Sequence, residues 1–196
     1  MNAWDIPELD LSLAAEHLVA PVTKWGTRRR TEPMTGTWHC YTHDYKFERL
    51  RLKPGMVPDT GCAVAVEANY TITPETPRAE ALWKIYLKRK LAREWQLRGV
   101  RIVVDLNLDC DCLRHDIGLL GVPEGWPAYA TRAHRGVPFG QIEREFDLAS
   151  RHARGDVRLF CVFGGGRKVR TATLARGWQW IAEHRQVVQG IAEPYG

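Results

Sequence analysis

Residues 62–108 read CAVAVEANYTITPETPRAEALWKIYLKRKLAREWQLRGVRIVVDLNL, and this segment decides the fold class. It begins with an apolar run of strand length, continues with helical periodicity and ends in a second apolar run. Apolar residues occupy both faces of the second run, as in parallel strands that helices cover on both sides. The order strand, helix, strand therefore predicts a crossover between two parallel strands.

The predicted helix lies between Pro77 and Gly99, residues that favour a helix start and a helix stop. Its predicted apolar face comprises Leu82, Trp83, Tyr86, Leu87, Leu91 and Trp95. The cationic residues of the same helix are expected on the opposite, exposed face, and they include Lys84, Lys88 and Arg89.

A second strand, helix and strand follow in PAYATRA, FGQIEREFDLASRHA and VRLFCVF, and TATLARGWQWIAEHRQVV is predicted to close the chain as a helix. This alternation predicts an α/β fold with a mostly parallel sheet flanked by helices. Four main strands are too few for a complete eight-stranded barrel, so we expect an open sheet or a partial β/α barrel. Residues 1–60 are predicted to be an irregular segment, with a short helix near Leu11 to Val19, packed on a single domain of residues 1–196.

Length and composition exclude several classes of protein. The chain of 196 residues has no apolar run long enough to span a bilayer and no signal-peptide pattern, so a soluble, cytoplasmic protein is expected. Five cysteines, an odd number, favour reduced thiols. The motifs of P-loop and dinucleotide-binding proteins and the serine-hydrolase elbow G-x-S-x-G do not occur.

Polar residues follow the predicted strands at their carboxyl ends, where parallel α/β folds place their sites. Glu67 and Asn69 end the first strand, Asp105, Asn107 and Asp109 the second, and Arg132, His134 and Arg135 the third. Carboxylates there predict a Mg²⁺ or Mn²⁺ site acting on a phosphate, with Glu67, Asp105 and Asp109 as metal ligands. The predicted catalytic set is Asp44, Glu67, Asp105, Asp109 and His134.

A purely structural interpretation of these carboxylates stays open. Asp105 and Asp109 would then cap a following turn, and Glu67 would pair with a nearby arginine. If instead they serve a site, Asp105→Asn is expected to leave stability unchanged.

Zinc is a further candidate, because Cys110, Cys112 and His115 have side chains of the kind that bind zinc. His39, Cys40 or His43 would complete the tetrahedral set of ligands. Their spacing lacks the usual C-x-x-C pair, so we expect no bound zinc and buried thiols.

A formal net charge of +5 and a pI of about 9.1 favour an anionic partner. The basic residues form clusters whose predicted role is nucleic-acid binding, DNA more than RNA. They are Arg28, Arg29, Arg30, Lys84, Lys88, Arg89, Arg135, Arg167 and Lys168.

Several segments occur together in an order that resembles a family of bacteriophages and plasmids, catalogued as domain of unknown function 4417. They are HDYKFERL, LAREWQLRGVRIVVDLNL, HDIGLLGVPEGWPAYATRAHRG and VRLFCVFGG, within residues 40–165. Asp44, Tyr45, Phe47 and Glu48 match its D-Y-x-F-E core, whereas Glu67 and Asn69 stand where the family more often has P-D-F-S. The resemblance implies an α/β fold and a mobile-element setting, and it implies no particular reaction.

Two functions follow from these observations. The first is a DNA-binding protein of a phage or plasmid, used in replication or DNA processing, with a second copy of the chain or a host replication protein as further partners. The alternative is a metal-dependent nuclease or phosphoesterase with its carboxylates at the strand ends.

Overall fold

The computed structural model describes residues 2–27, 33–107, 115–134 and 138–182. Within these ranges seven strands form one sheet, and every neighbouring pair is parallel. The strands are Val22–Lys24 (β1), Thr37–Cys40 (β2), Val64–Ala68 (β3), Arg101–Asp105 (β4), Ala128–Ala133 (β5), Leu159–Gly164 (β6) and Gln179–Ile181 (β7). The predicted α/β class with a parallel sheet is confirmed.

The described ranges contain five α-helices and four short 3₁₀ turns. The helices are Glu48–Leu52 (α1), Arg78–Gln96 (α2), His115–Gly118 (α3), Phe139–His152 (α4) and Gly166–Leu174 (α5), and the 3₁₀ turns are Leu11–Leu13, Asp44–Lys46, Pro54–Met56 and Pro58–Thr60. The predicted crossover helix is α2, with Pro77 at its N-cap and Gly99 in the left-handed region after its end. No helix in the described residues is long and apolar enough to cross a membrane.

The sheet is curled into a half-barrel. Its strands lie side by side in chain order, so three strands separate β2 from β6. In a flat sheet those two strands would be roughly 19 Å apart, four spacings of about 4.8 Å. The rings of His39 in β2 and Phe163 in β6 nevertheless have centroids only 4.7 Å apart, and Tyr41 lies 4.8 Å from the same ring. The partial barrel among the predicted alternatives is therefore the observed one.

Alternate residues of each strand face the inside of the curl or the helices outside it. In β6, Phe163 faces inward, whereas Phe160 packs edge-on against Phe146 of α4 with ring centroids 5.1 Å apart. Thr131 of β5 likewise faces outward and donates a hydrogen bond to the buried carboxylate of Glu145 in α4. The core consequently lies mainly between the sheet and its outer helices.

Two predictions about the ends of the chain are wrong. The N-terminal segment contributes β1 and β2 to the sheet, and its expected helix is only the turn Leu11–Leu13. At the other end α5 stops at Leu174, Gly177 turns the chain with a φ of +72°, and the next residues form β7 instead of continuing a helix. Edge strands of three residues carry too little periodicity to be distinguished from a neighbouring helix.

Candidate functional site

A cavity of about 800 Å³ opens at the carboxyl ends of the strands. Five strand ends contribute to its wall, and the 3₁₀ turn after β2 closes one side. The lining residues are Lys24, Tyr41, Thr42, His43, Asp44, Tyr45, Lys46, Asn69, Thr71, Ile72, Asn107, Arg132 and His134. Because the strand order is sequential, the sheet has no switch point, and the ends converge as they do in β/α barrels.

The rule that sites lie beyond parallel strand ends correctly located part of this wall. Asn69, Asn107, Arg132 and His134 were all expected at the sheet edge, and all four line the cavity. Asp44 was expected in the same crevice and is also in the lining.

Asp105 lies beneath the cavity and fixes three of its wall residues. Its Oδ1 accepts hydrogen bonds from the Tyr41 hydroxyl at 3.0 Å and from the backbone N–H of Asn107 at 3.1 Å. The Asn69 amide nitrogen lies 3.3 Å from both carboxylate oxygens, and Lys88 Nζ donates to Oδ2 at 2.8 Å. Asp105 itself is 1% exposed, so it supports the site from within the core.

Glu67 points away from the cavity, toward α2. Both of its carboxylate oxygens accept hydrogen bonds from Arg89, and Oε2 also accepts the backbone N–H of Asp105 at 3.0 Å. Arg89 donates in addition to the carbonyls of Gly118 and Leu120. The structural interpretation is therefore confirmed for Glu67, which pairs with an arginine. Asp105 accepts the backbone N–H of Asn107, two residues further on.

The prediction that Lys88 and Arg89 lie on an exposed face of the helix is wrong. They are 1% and 0% exposed and are held in the ion pairs with Asp105 and Glu67. A phosphate outside the protein cannot reach either side chain. Trp83, which was expected on the apolar face, is instead 51% exposed.

The remaining predicted cations of the described residues lie outside the cavity lining. Lys84 pairs with Glu80 at 2.8 Å and donates to the Thr71 carbonyl at 2.7 Å. Arg167 and Lys168 are exposed in the first turn of α5. Arg28, Arg29, Arg30, Asp109, Cys110, Cys112 and Arg135 lie outside the described residues.

The turn after β2 presents its side chains to the cavity from a fixed backbone. Asp44 accepts hydrogen bonds from the Thr71 backbone N–H at 3.1 Å and from its hydroxyl at 2.9 Å. Phe47, at the end of the turn, is fully buried against Tyr70. Tyr45, in contrast, is 71% exposed.

Two buried aromatic groups next to the cavity remain uncharged. Burial, followed by the charge of Asp105, raises the pKa of the Tyr41 phenol well above its usual range, so Tyr41 is a hydrogen-bond donor. Burial, with the neighbouring cations Lys24 and Arg132, lowers the pKa of His39 to about 3. The cations of the cavity therefore act beside a neutral imidazole.

The described carboxylates do not fit the expected divalent-metal site. The oxygens of Glu67 and Asp105 already accept hydrogen bonds from cationic or backbone donors, and a cation such as Mg²⁺ would have to displace Arg89 or Lys88. No group of three His, Cys, Asp or Glu side chains suited to a metal occurs in the part of the chain that the structure describes. The Mg²⁺ or Mn²⁺ site and the expected lack of zinc stay predictions.

Sequence reasoning missed four important lining residues: Lys24, Tyr41, Tyr45 and Lys46. Lys24 is the last residue of β1, and Tyr41 follows β2, so recognising those two short strands would have placed both at the edge of the sheet.

Comparison with known proteins gives the chain a family. The sequence profile of the family described as domain of unknown function (DUF4417) matches residues 1–137, more than half of the chain. The chain belongs to the DUF4417 family. The resemblance to this family is thereby confirmed.

Curated relatives of this DUF4417 chain occur in two mycobacteriophages. The Gene 1 protein of Mycobacterium phage D29 is 26% identical over 107 residues, which cover 52% of this chain and 38% of the relative. The Gene 1 protein of Mycobacterium phage L5 is 24% identical over 107 residues, covering 52% of this chain and 45% of the relative. The chain thus spans less than half the length of these relatives, and no solved structure is significantly similar to it.

Proposed function

We propose that this chain is a DNA-binding protein of a bacteriophage or plasmid, acting in replication or processing of the element's DNA. The cavity at the carboxyl edge of the sheet is its phosphate-binding site. The observation that carries this proposal is the charge of the cavity wall.

Among the residues that the structure describes, three cationic side chains, Lys24, Lys46 and Arg132, line the cavity together with one carboxylate, Asp44. Counting the lysine, arginine and aspartate side chains, this described lining has a net charge of +2. The one carboxylate accepts hydrogen bonds from Thr71, which reduces its influence on an entering anion. A concave surface with an excess of one charge sign concentrates ligands of the opposite sign, here the phosphates of nucleic acid.

The uncharged groups of the wall suit the same ligand. Asn69, Asn107, Thr42 and Thr71 supply amide and hydroxyl groups next to the cations. Such side chains, with Lys and Arg, make most protein contacts to phosphate and sugar oxygens. The relatives in two phages support the mobile-element setting of the proposal.

Hydrolysis at a metal centre is not part of the proposal, because the buried carboxylates are occupied. Asp105 neutralises Lys88, and Glu67 neutralises Arg89. Binding of DNA needs neither pair to open, whereas a metal site built on them would need both to do so.

Fluorescence anisotropy with labelled DNA, titrated between about 50 and 200 mM salt, tests the proposal. We compare the wild type with Lys24→Gln, Lys46→Gln and the double variant. Each lysine that neutralises one phosphate of a single strand contributes about 0.7 to the salt slope, which corresponds to about fivefold in affinity at 0.1 M salt. The double variant should therefore bind about 25-fold more weakly, with a slope smaller by about 1.4.

Lys90→Gln is the matched control, because Lys90 is an exposed cation of α2 that does not line the cavity. It should change affinity and slope much less than either cavity variant. Wild-type affinity and slope in the double variant would exclude the cavity as the phosphate site, and absence of binding by the wild type at low salt would exclude DNA binding itself.

A further inference from the structure

The cavity has an aromatic rim whose role the charge of the wall does not explain. Tyr45 is 71% exposed, the second-highest exposure among the large apolar side chains of the described residues, after Leu52 at 76%. Its backbone is nevertheless fixed, because Asp44 before it is bonded to Thr71 and Phe47 after it is buried. A large ring is thus held rigidly in solvent at the edge of a polar cavity.

One face of this ring is already covered. His43 stacks on Tyr45 with ring centroids 5.8 Å apart and planes inclined by 13°. The high exposure of Tyr45 leaves the opposite face of the ring open to a ligand. A planar ligand placed there would extend the existing stack of two rings. Because His43 already holds the ring, binding would take little further conformational entropy from the Tyr45 side chain.

The size of the cavity restricts what such a ligand can be. Its volume of about 800 Å³ falls within the range of sites for single small molecules, roughly 300–1,000 Å³. A base inside a duplex has both faces covered by its neighbours and its edge paired, so it cannot also lie on a protein ring. A base that enters a site of this kind has to be unpaired, either in single-stranded nucleic acid or flipped out of a helix.

Cations lie beside the aromatic rim. Lys46 follows Tyr45 in the same turn, and Lys24 and Arg132 line the same cavity. Asn69, whose amide nitrogen is held by Asp105, has a side-chain carbonyl oxygen that can accept a hydrogen bond from an N–H group of a base. The wall thus combines a stacking surface, polar groups and phosphate-binding charges within one cavity.

We infer that the cavity receives an unpaired nucleotide of single-stranded DNA, its base stacked on the open face of Tyr45 and its phosphate among Lys24, Lys46 and Arg132. This inference rests on the proposed DNA binding and specifies the form of DNA that the site accepts. It assigns Tyr45 as a binding residue that adds affinity without adding charge.

The experiment compares an oligothymidine strand with a blunt duplex of equal phosphate number, by anisotropy at fixed salt, for the wild type, Tyr45→Ala and Tyr45→Phe. The wild type should bind the single strand at least about tenfold more tightly, and Tyr45→Ala should lose roughly tenfold of that affinity, the usual effect of removing one stacked ring. Tyr45→Phe, which keeps the ring, should bind like the wild type. The salt slope of Tyr45→Ala should equal that of the wild type, because no cation is removed.

Trp83→Ala is the matched control. Trp83 is also an exposed aromatic residue stacked on a neighbour, Tyr86, with centroids 5.3 Å apart, but it does not line the cavity. Equal binding of duplex and single strand, or an equal loss in Tyr45→Ala and Trp83→Ala, would overturn the inference while leaving DNA binding intact. Absence of binding to both forms would instead refute the proposed function.

Discussion

Replacing Asp105 with asparagine removes the charge that compensates Lys88 in the interior. Lys88 and Asp105 are each 1% exposed, and Nζ lies 2.8 Å from Oδ2. The substitution keeps the size of the side chain but leaves an ammonium group without its buried counter-ion. The structure therefore predicts a loss of stability, whereas the sequence alone suggested none.

The size of the loss follows from the contacts that remain. Breaking a buried ion pair by removing one partner costs about 3–5 kcal/mol. Lys88 keeps its hydrogen bond to the Asp105 backbone carbonyl at 2.7 Å and lies 3.9 Å from the Glu67 carboxylate. We accordingly expect the lower end, about 3 kcal/mol, which lowers the thermal midpoint of a chain of this size by roughly 6–12 °C.

Urea unfolding of Asp105→Asn, Lys88→Met and the double variant measures this loss. Removing both charges leaves no unpaired ammonium group, so the double variant should be more stable than Asp105→Asn alone. A coupling free energy between the two sites of about 1–3 kcal/mol is expected. The reasoning is refuted if Asp105→Asn unfolds within about 0.5 kcal/mol of the wild type, the range of ordinary surface substitutions.

Two further predictions concern acid stability and close backbone packing. Burial lowers the pKa of His39 to about 3 in the folded protein, whereas the ordinary value in the unfolded chain is about 6.5. Between these pH values the unfolded chain binds more protons than the folded one. The free energy of unfolding therefore falls as the pH drops below about 6.5. His39→Phe should remove this pH dependence. Between about pH 7 and pH 5, urea unfolding should show that the wild type loses about 2 kcal/mol more unfolding free energy than the variant, and equal losses in the two proteins would contradict the prediction. Gly36→Ala should cost about 1–3 kcal/mol, because its Cβ would lie 2.2 Å from the Pro21 carbonyl oxygen. Gly140→Ala, in the first turn of α4, is the control, because its added Cβ would have its nearest neighbouring atom 3.9 Å away. This substitution should be neutral or slightly stabilising. Equal changes in thermal midpoint for the two variants would show that the backbone around Gly36 moves to accommodate a Cβ.

The sequence predicts the central strands and fails at the edges of the sheet for a physical reason. Strands β3 to β6 are almost fully buried, with Arg101 at the start of β4 and the half-buried Arg132 in β5 as exceptions, so their apolar runs mark them in the sequence. Strands β1 and β7 have three residues each and are partly exposed, and their position depends on neighbours far along the chain. Pairing with β2 and β6 decides those segments, and a local pattern does not contain that information.

The same distinction applies to the site. Asn69, Asn107, Arg132 and His134 were predictable because they follow recognisable strands. The burial of Lys88 and Arg89 was not predictable, because a helical pattern that groups cationic residues normally indicates a solvent-exposed face. Their partners Asp105 and Glu67 lie 17 and 22 residues away in sequence, and only the packing of α2 on the curled sheet brings these charges together.

Photocrosslinking of single-stranded DNA that carries 5-iododeoxyuridine locates the bound base directly. Trypsin releases residues 31–46, which contain Tyr41, His43 and Tyr45 of the cavity, and separately residues 79–84, which contain the exposed Trp83 of α2. If the cavity holds an unpaired base, the nucleotide adduct will be found by mass spectrometry on residues 31–46, and Tyr45→Ala will abolish or strongly reduce it. An adduct confined to residues 79–84 or to the basic helix α5, with the 31–46 peptide unmodified, would show that DNA binds elsewhere on the molecule.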